Sequence, residues 1–227
     1  MIAKRQMGAL IMKTLIVYLS GGIKKNNSIY EGNDDDHYWT YRNKTSLAKI
    51  MREKNIEMVY LDPSDRADDL NDVQSLFGRD LLQVYLSDCV LVDAREKRGI
   101  GIGYEIAFAN QKKIPVITWS PIGSYYRPSR ITFLKQRLNK WTHPFINAPS
   151  QIIVDDICQV DTAIDLLPIF LKEPISCGDY ALPYIQRYIS EQLPKDGVMI
   201  RIVRENTSLA KQIDQIRAIK ISRKEER

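Results

Sequence analysis

Cys89-Val90-Leu91-Val92 is an uninterrupted apolar run between Asp88 and Asp93. Such a run describes a strand buried on both faces, as in a parallel sheet covered by helices. Before it, Leu81, Val84 and Tyr85 recur at helical spacing after Asp80. After it, Gly99, Gly101 and Gly103 alternate, and Tyr104 to Ala109 begin another helix. The pattern predicts that Asp80 opens the first of these helices and Glu105 the second. A parallel α/β unit then carries both carboxylates to the carboxyl edge of the sheet, where open α/β folds bind ligands.

The rest of the chain repeats this alternation. Strands are expected at residues 14–19, 57–61, 89–93, 115–119 and 151–154. Helices are expected at 38–53, from beyond residue 71 to Leu86, at 103–111 and at 160–171, with a short one at 131–138. Strands alternating with helices give right-handed crossovers and a parallel sheet. The expected fold is α/β, a flavodoxin-like doubly wound parallel five-stranded sheet of order 2-1-3-4-5. From residue 173 the pattern changes to a helix near 180–192, a strand at 198–203 and a basic end. Residues 13–172 therefore read as the main domain and 173–227 as a small C-terminal extension.

The chain has 227 residues, 44% of them hydrophobic and 27% charged, ordinary for a globular protein of one α/β domain plus an extension. The net charge of +5 sits largely in the two ends, and no nucleic-acid-binding motif accompanies it, so no nucleic acid polymer is expected as partner. Cys89, Cys158 and Cys177 are odd in number and widely separated, which argues against a disulfide framework or zinc and for a reducing cytoplasm. His37 and His143 have no ligand partner at useful spacing, so neither metal nor other cofactor is expected. Lys4-Arg5 before Gly8 to Met12 faintly resembles a signal peptide, but Lys13 interrupts it. No apolar run approaches transmembrane length, and no membrane partner is expected.

Two readings of the glycines stand side by side. Gly99, Gly101 and Gly103 lack dinucleotide-fingerprint spacing and follow the third strand rather than the first. They form either a flexible turn or a place where backbone approaches a sugar beside a helix start. Glu105 complements a helix dipole in one reading and is a carboxylate nucleophile kept ionised by that dipole in the other. Asp80 is similarly open to being a surface charge. Of the two aspartates bracketing the third strand, Asp93 is better placed than Asp88 to face a ligand. Tyr125, Tyr126 and Arg127 follow the fourth strand and line the same cleft, unless they are a plain surface turn.

Four pieces occur in order. They are Tyr18-Leu19-Ser20-Gly21-Gly22-Ile23; Asp80, eight positions before Asp88-Cys89-Val90-Leu91-Val92; Gly101-Ile102-Gly103-Tyr104-Glu105; and Pro115-Val116-Ile117. This set, within residues 13–171, resembles the nucleoside 2-deoxyribosyltransferase family, including related enzymes that hydrolyse the N-glycosidic bond of deoxynucleoside monophosphates. The Gly-Ile-Gly-Tyr-Glu stretch is close to the Gly-Val-Gly-Tyr-Glu of the hydrolases. The resemblance implies that Glu105 attacks the anomeric carbon, that Asp80 holds the sugar or nucleophile and assists proton traffic to the base, and that Tyr18 lies beside both. It implies sugar-side contacts from Ser20, Gly21, Gly22, Lys24, Gly101 and Gly103. Asp93, Tyr125 and Arg127 join these as substrate-binding candidates by their position.

The pattern also departs from the family. Gly99 stands where the transferases have Asp and the hydrolases Ser, Gly22 where the hydrolases have a second Ser, and Lys24 where they have Arg. Lys24, Lys25, Arg95 or Arg98 would then supply any charge for a phosphate. The expected activity is cleavage of a (deoxy)nucleoside N-glycosidic bond through a glutamate-linked glycosyl intermediate. A nucleoside 5'-monophosphate hydrolase and a catalytically silent nucleotide-sensing module are the alternatives. The expected partner is a small nucleoside or nucleotide. A homo-oligomer is expected from the resemblance and from Tyr180, Leu182, Tyr184, Ile185 and Tyr188 in the extension.

Overall fold

The computed structural model describes residues 12–22, 38–167 and 171–220. The apolar runs become parallel strands: β1 (Lys13–Ser20), β2 (Ile56–Leu61), β3 (Cys89–Asp93) and β4 (Val116–Trp119). An antiparallel ribbon of β5 (Arg130–Phe133) and β6 (Gln136–Asn139) intervenes before β7 (Ile152–Val154) completes the sheet. The strand order is β2-β1-β3-β4-β7, and every neighbouring pair is parallel. With the ribbon set aside this is the flavodoxin-like order 2-1-3-4-5.

Period-two alternation assigns each strand residue to a face. Leu15, Val17 and Leu19 of β1 pack with α1 (Tyr41–Glu53) and α5 (Val160–Leu166). Ile16 and Tyr18 point the other way, into the core made with α2 (Val73–Leu86) and α3 (Ile100–Gln111). Ser20 follows the same alternation, so Tyr18 and Ser20 share the α2–α3 face at the carboxyl end of a central strand.

Beyond a short α4 (Pro144–Asn147), the extension supplies α6 (Leu182–Arg187), a π-helical stretch Tyr188–Gln192, α7 (Gly197–Glu205) and α8 (Thr207–Ala218). Leu182, Ile185, Tyr188, Met199, Leu209 and Ile213 are buried in the same cluster as the α2–α3 face of the sheet. Each such burial contributes roughly 1.5–3 kcal/mol for an aliphatic side chain. α6 meets α2 at Gly78, where a Cβ would collide with the Tyr184 carbonyl. The buried Lys112 ammonium ties the start of the extension down, with both Asp179 carboxylate oxygens at 2.7 Å.

Several expectations are corrected. Residues 131–138 form the ribbon, not a helix, turning through Leu134 and Lys135 at φ of 47° and 66°. Residues 198–203 lie in α7, which Asp196 caps by accepting the Met199 N–H at 3.2 Å. The helix beginning at Val160 ends at Leu166; residues 168–170 lie outside the described part. α3 starts at Ile100, so Glu105 is in its second turn rather than opening it. α2 is capped by Asp72, so Asp80 is in mid-helix. Leu182, Ile185 and Tyr188, offered as oligomer contacts, are fully buried within the chain itself.

Candidate active site

The site is built from β1, α2 and α3 at the carboxyl edge of the sheet. Ser20 is the last residue of β1, and its hydroxyl donates to Glu105 Oε2 at 2.5 Å. Tyr18, two residues earlier on the same face, is fully buried. Its hydroxyl lies close enough to the Glu105 carboxylate to bear on its titration, yet it has no well-formed hydrogen bond among the described residues. Glu105 reaches the cluster from α3 because Ile102, Ile106 and Ala109 fix the neighbouring stripe of that helix in the core. Aromatic contacts brace the helix from outside. Tyr104 meets Phe77 edge-on at 5.6 Å and Tyr180 at 6.1 Å.

Asp80 enters from α2. Its Oδ1 is buried and makes no hydrogen bond among the described residues, while its side chain keeps 25% of its surface. Arg66 Nη1 and Arg79 Nη1 stand 3.7 and 3.9 Å from that oxygen.

Burial, first, and the neighbouring Glu105 charge raise the Asp80 carboxyl, and the two arginines pull the other way, leaving it at about 7. Burial raises Glu105 as well, opposed by the hydrogen bond from Ser20 and by the nearby Tyr18 hydroxyl. Tyr18 is driven far up by burial and by the two acids, so it stays a protonated donor. The Glu105 charge thus favours the protonated form of Asp80. Glu105 accepts hydroxyl donation while Asp80 is raised to where it can carry a proton, the division of labour needed by a nucleophile and an acid.

The remaining candidates sort by placement. Gly21 packs so tightly on Trp39 that a Cβ would lie 2.9 Å from its ring, and the Trp39 indole N–H donates to the Ser20 carbonyl at 3.0 Å. Gly22 is half-buried beside it, and Lys24 lies outside the described residues. A Cβ at Gly99, Gly101 or Gly103 would meet nothing within 4 Å; Gly101, one turn before Glu105, shares its face of α3, whereas Gly103 lies on the opposite side of the helix. Gly99 caps α3 without a side-chain hydrogen bond.

Asp93 is buried and held by Arg95 Nε at 3.0 Å and Arg98 Nη2 at 2.7 Å. That engagement occupies both arginines considered for phosphate. Tyr125 and Tyr126 line a cavity of about 230 Å³ with Gly99, Gly103, Ile106 and His143. Arg127 is not among its lining residues; it bridges the Ser120 carbonyl and Asp155 at 2.6 and 2.7 Å.

Sequence reading did not single out Arg66, Asp68 or Arg79, which stand around Asp80, or Asp196, which holds Arg79. The Arg79-Asp80 adjacency and the Arg66-x-Asp68 spacing were the local signals; the contacts of Arg66 with Asp80 and of Arg79 with Asp196 join distant segments. Among the described residues no group of three or more His, Cys, Asp or Glu is arranged to hold a metal ion. No helix among them is long and apolar enough to cross a membrane. No protein-family model matches the chain, and no curated protein matches it.

Proposed function

We propose that the chain cleaves the N-glycosidic bond of a nucleoside by double displacement, as its resemblance to the 2-deoxyribosyltransferases implies. The observation that carries this reading is the Glu105–Asp80 pair. The two carboxylates come from neighbouring helices, the Glu105 charge raises Asp80, and no ion pair to Glu105 occurs among the described residues. Structural acids in the same molecule are instead paired, as Asp93 and Asp179 are.

In the first step a Glu105 oxygen bonds to the anomeric carbon while the carbon–nitrogen bond breaks. Its electron pair leaves with the base, whose nitrogen takes the Asp80 proton. In the second step water or a second base attacks the same carbon, the Glu105 ester bond breaks and Asp80 takes the proton of the attacking group. The Ser20 hydroxyl orients the nucleophile. The open space at Gly101 gives a sugar room beside it.

Between the two enzymatic readings, the engagement of Arg95 and Arg98 with Asp93 supports an unphosphorylated substrate over a 5'-monophosphate. The resemblance further implies a homo-oligomer, which a monomeric mass by light scattering would remove, and the cysteine pattern points to a reducing cytoplasm. The test of activity is chromatography after incubation with a panel of nucleosides and nucleotides, with and without a second free base. Base release or exchange from at least one member is expected. Tight binding without release across the panel would favour the sensing module instead.

A further inference from the structure

Both arginines nearest Asp80 are bound to other aspartates. Arg66 donates Nε and Nη2 to the two oxygens of Asp68, each at 2.8 Å. Arg79 is fully buried and donates Nε to Asp196 Oδ2 at 2.8 Å and Nη2 to the Asp65 carbonyl at 2.8 Å. Its Nη1 donates to Gln83 Oε1 at 3.3 Å. Asp196 is fixed in turn by the Tyr188 hydroxyl at 2.8 Å and the Met199 N–H at 3.2 Å. What remains for Asp80 is two guanidinium nitrogens at 3.7 and 3.9 Å, beyond hydrogen-bond reach.

A carboxylate hydrogen-bonded by two guanidiniums is held ionised far below neutrality and carries no proton at pH 7. The arrangement around Asp80 avoids that outcome. We propose that Asp68 and Asp196 are positioning residues that hold Arg66 and Arg79 back from Asp80, leaving it able to carry a proton. Asp196 belongs to the C-terminal extension, so the extension takes part in the site rather than only covering the core. The inference rests on the reading that Asp80 exchanges a proton with substrate. The other titratable groups facing Asp80 are Glu105 on α3 and Tyr18 on β1. Glu105 favours the protonated form in the same direction, and both groups are left in place by the variants below.

The test is a carbon-13 carboxyl titration of the full chain labelled at aspartate, with the Asp80 resonance assigned by its loss in Asp80→Asn. The wild-type midpoint is expected near 7. Asp68→Asn frees Arg66 to pair with Asp80 and should lower the midpoint by about one pH unit or more. Asp68→Glu keeps a partner for Arg66 and should restore it. Removing the Asp68 charge also lowers the midpoint directly, so the decisive comparison repeats Asp68→Asn in an Arg66→Met background. There most of the fall should vanish.

Asp196→Asn should act in the same direction through Arg79, with circular dichroism to establish that it folds. If it does not fold, the Asp68 and Arg66 series, checked for folding in the same way, carries the test. An unchanged or raised midpoint in folded Asp68→Asn overturns the inference, as does an equal fall without Arg66. The titration needs no turnover. An Arg66-dependent shift in a protein that releases no base would therefore count against the glycosidic reading alone. In an active protein the basic limb of the kcat/KM profile should move down with the midpoint.

Discussion

The site turns on how one carboxyl group is kept from its natural partners. Asp80 lies beside two guanidiniums and still stands at about 7, because burial and Glu105 outweigh charges that are engaged elsewhere. This has a stability consequence whose sign follows from linkage. The folded-state value exceeds that of an unfolded aspartate, about 4. The group's contribution is thus fully present below about 4 and is lost as the pH rises through about 7. Asp80→Asn removes the buried charge without changing shape. Its melting temperature should equal that of the wild type at acid pH and exceed it at alkaline pH, by roughly 2–4 °C for each kcal/mol relieved. Equal melting temperatures across the range would show that Asp80 ionises without strain. At this scale sequence reading located Asp80, Glu105, Tyr18 and Ser20 but expected a helix start to keep Glu105 ionised, whereas Glu105 lies in the second turn and burial raises it. Arg66 and Asp196 reach Asp80 and Arg79 only through the tertiary fold.

At the scale of elements, legibility followed the strength of the local signal. Parallel strands were readable because burial on both faces leaves no polar residue in β3 or β4 until Asp93 and Thr118. The ribbon was misread because Ile131, Phe133, Leu134 and Leu138 give no clean alternation. Its turn also uses Leu134 and Lys135 in the left-handed region where Asn-Gly would have announced it. α7 was misread because Val198, Ile200, Ile202 and Val203 favour strands, while the Asp196 cap that overrides them was passed over. α3 was started late because Gly99 offers no side-chain cap.

Two glycine substitutions separate packing from function. Gly78→Ala drives a methyl into the Tyr184 carbonyl and should destabilise by about 1–3 kcal/mol in denaturant titration. Gly101→Ala meets nothing and should stabilise α3 by up to about 1 kcal/mol. It should nevertheless slow base release, because it fills space assigned to the sugar. A stable Gly101→Ala protein with undiminished turnover would mean that the sugar lies elsewhere.

For the whole molecule, the five-stranded order was legible in full, whereas the weight of the extension was not. Hydrophobic spacing places helices without saying what they cover, and here α6, α7 and α8 complete the core under α2. A chain ended at residue 172 would expose Phe77, Leu81 and the neighbouring face of α2. It should fail to give a cooperative melt; a cooperative melt close to that of the full chain would mark the extension as dispensable. The claim on which the account stands is that Glu105 bonds to the sugar. It is tested most directly by mass spectrometry of acid-quenched, digested protein after incubation with the nucleoside that releases base fastest. The account predicts a pentosyl mass increment on the peptide bearing Glu105, absent from Glu105→Gln, which should remain folded and release no base. A folded Glu105→Gln protein that releases base at the wild-type rate would contradict it.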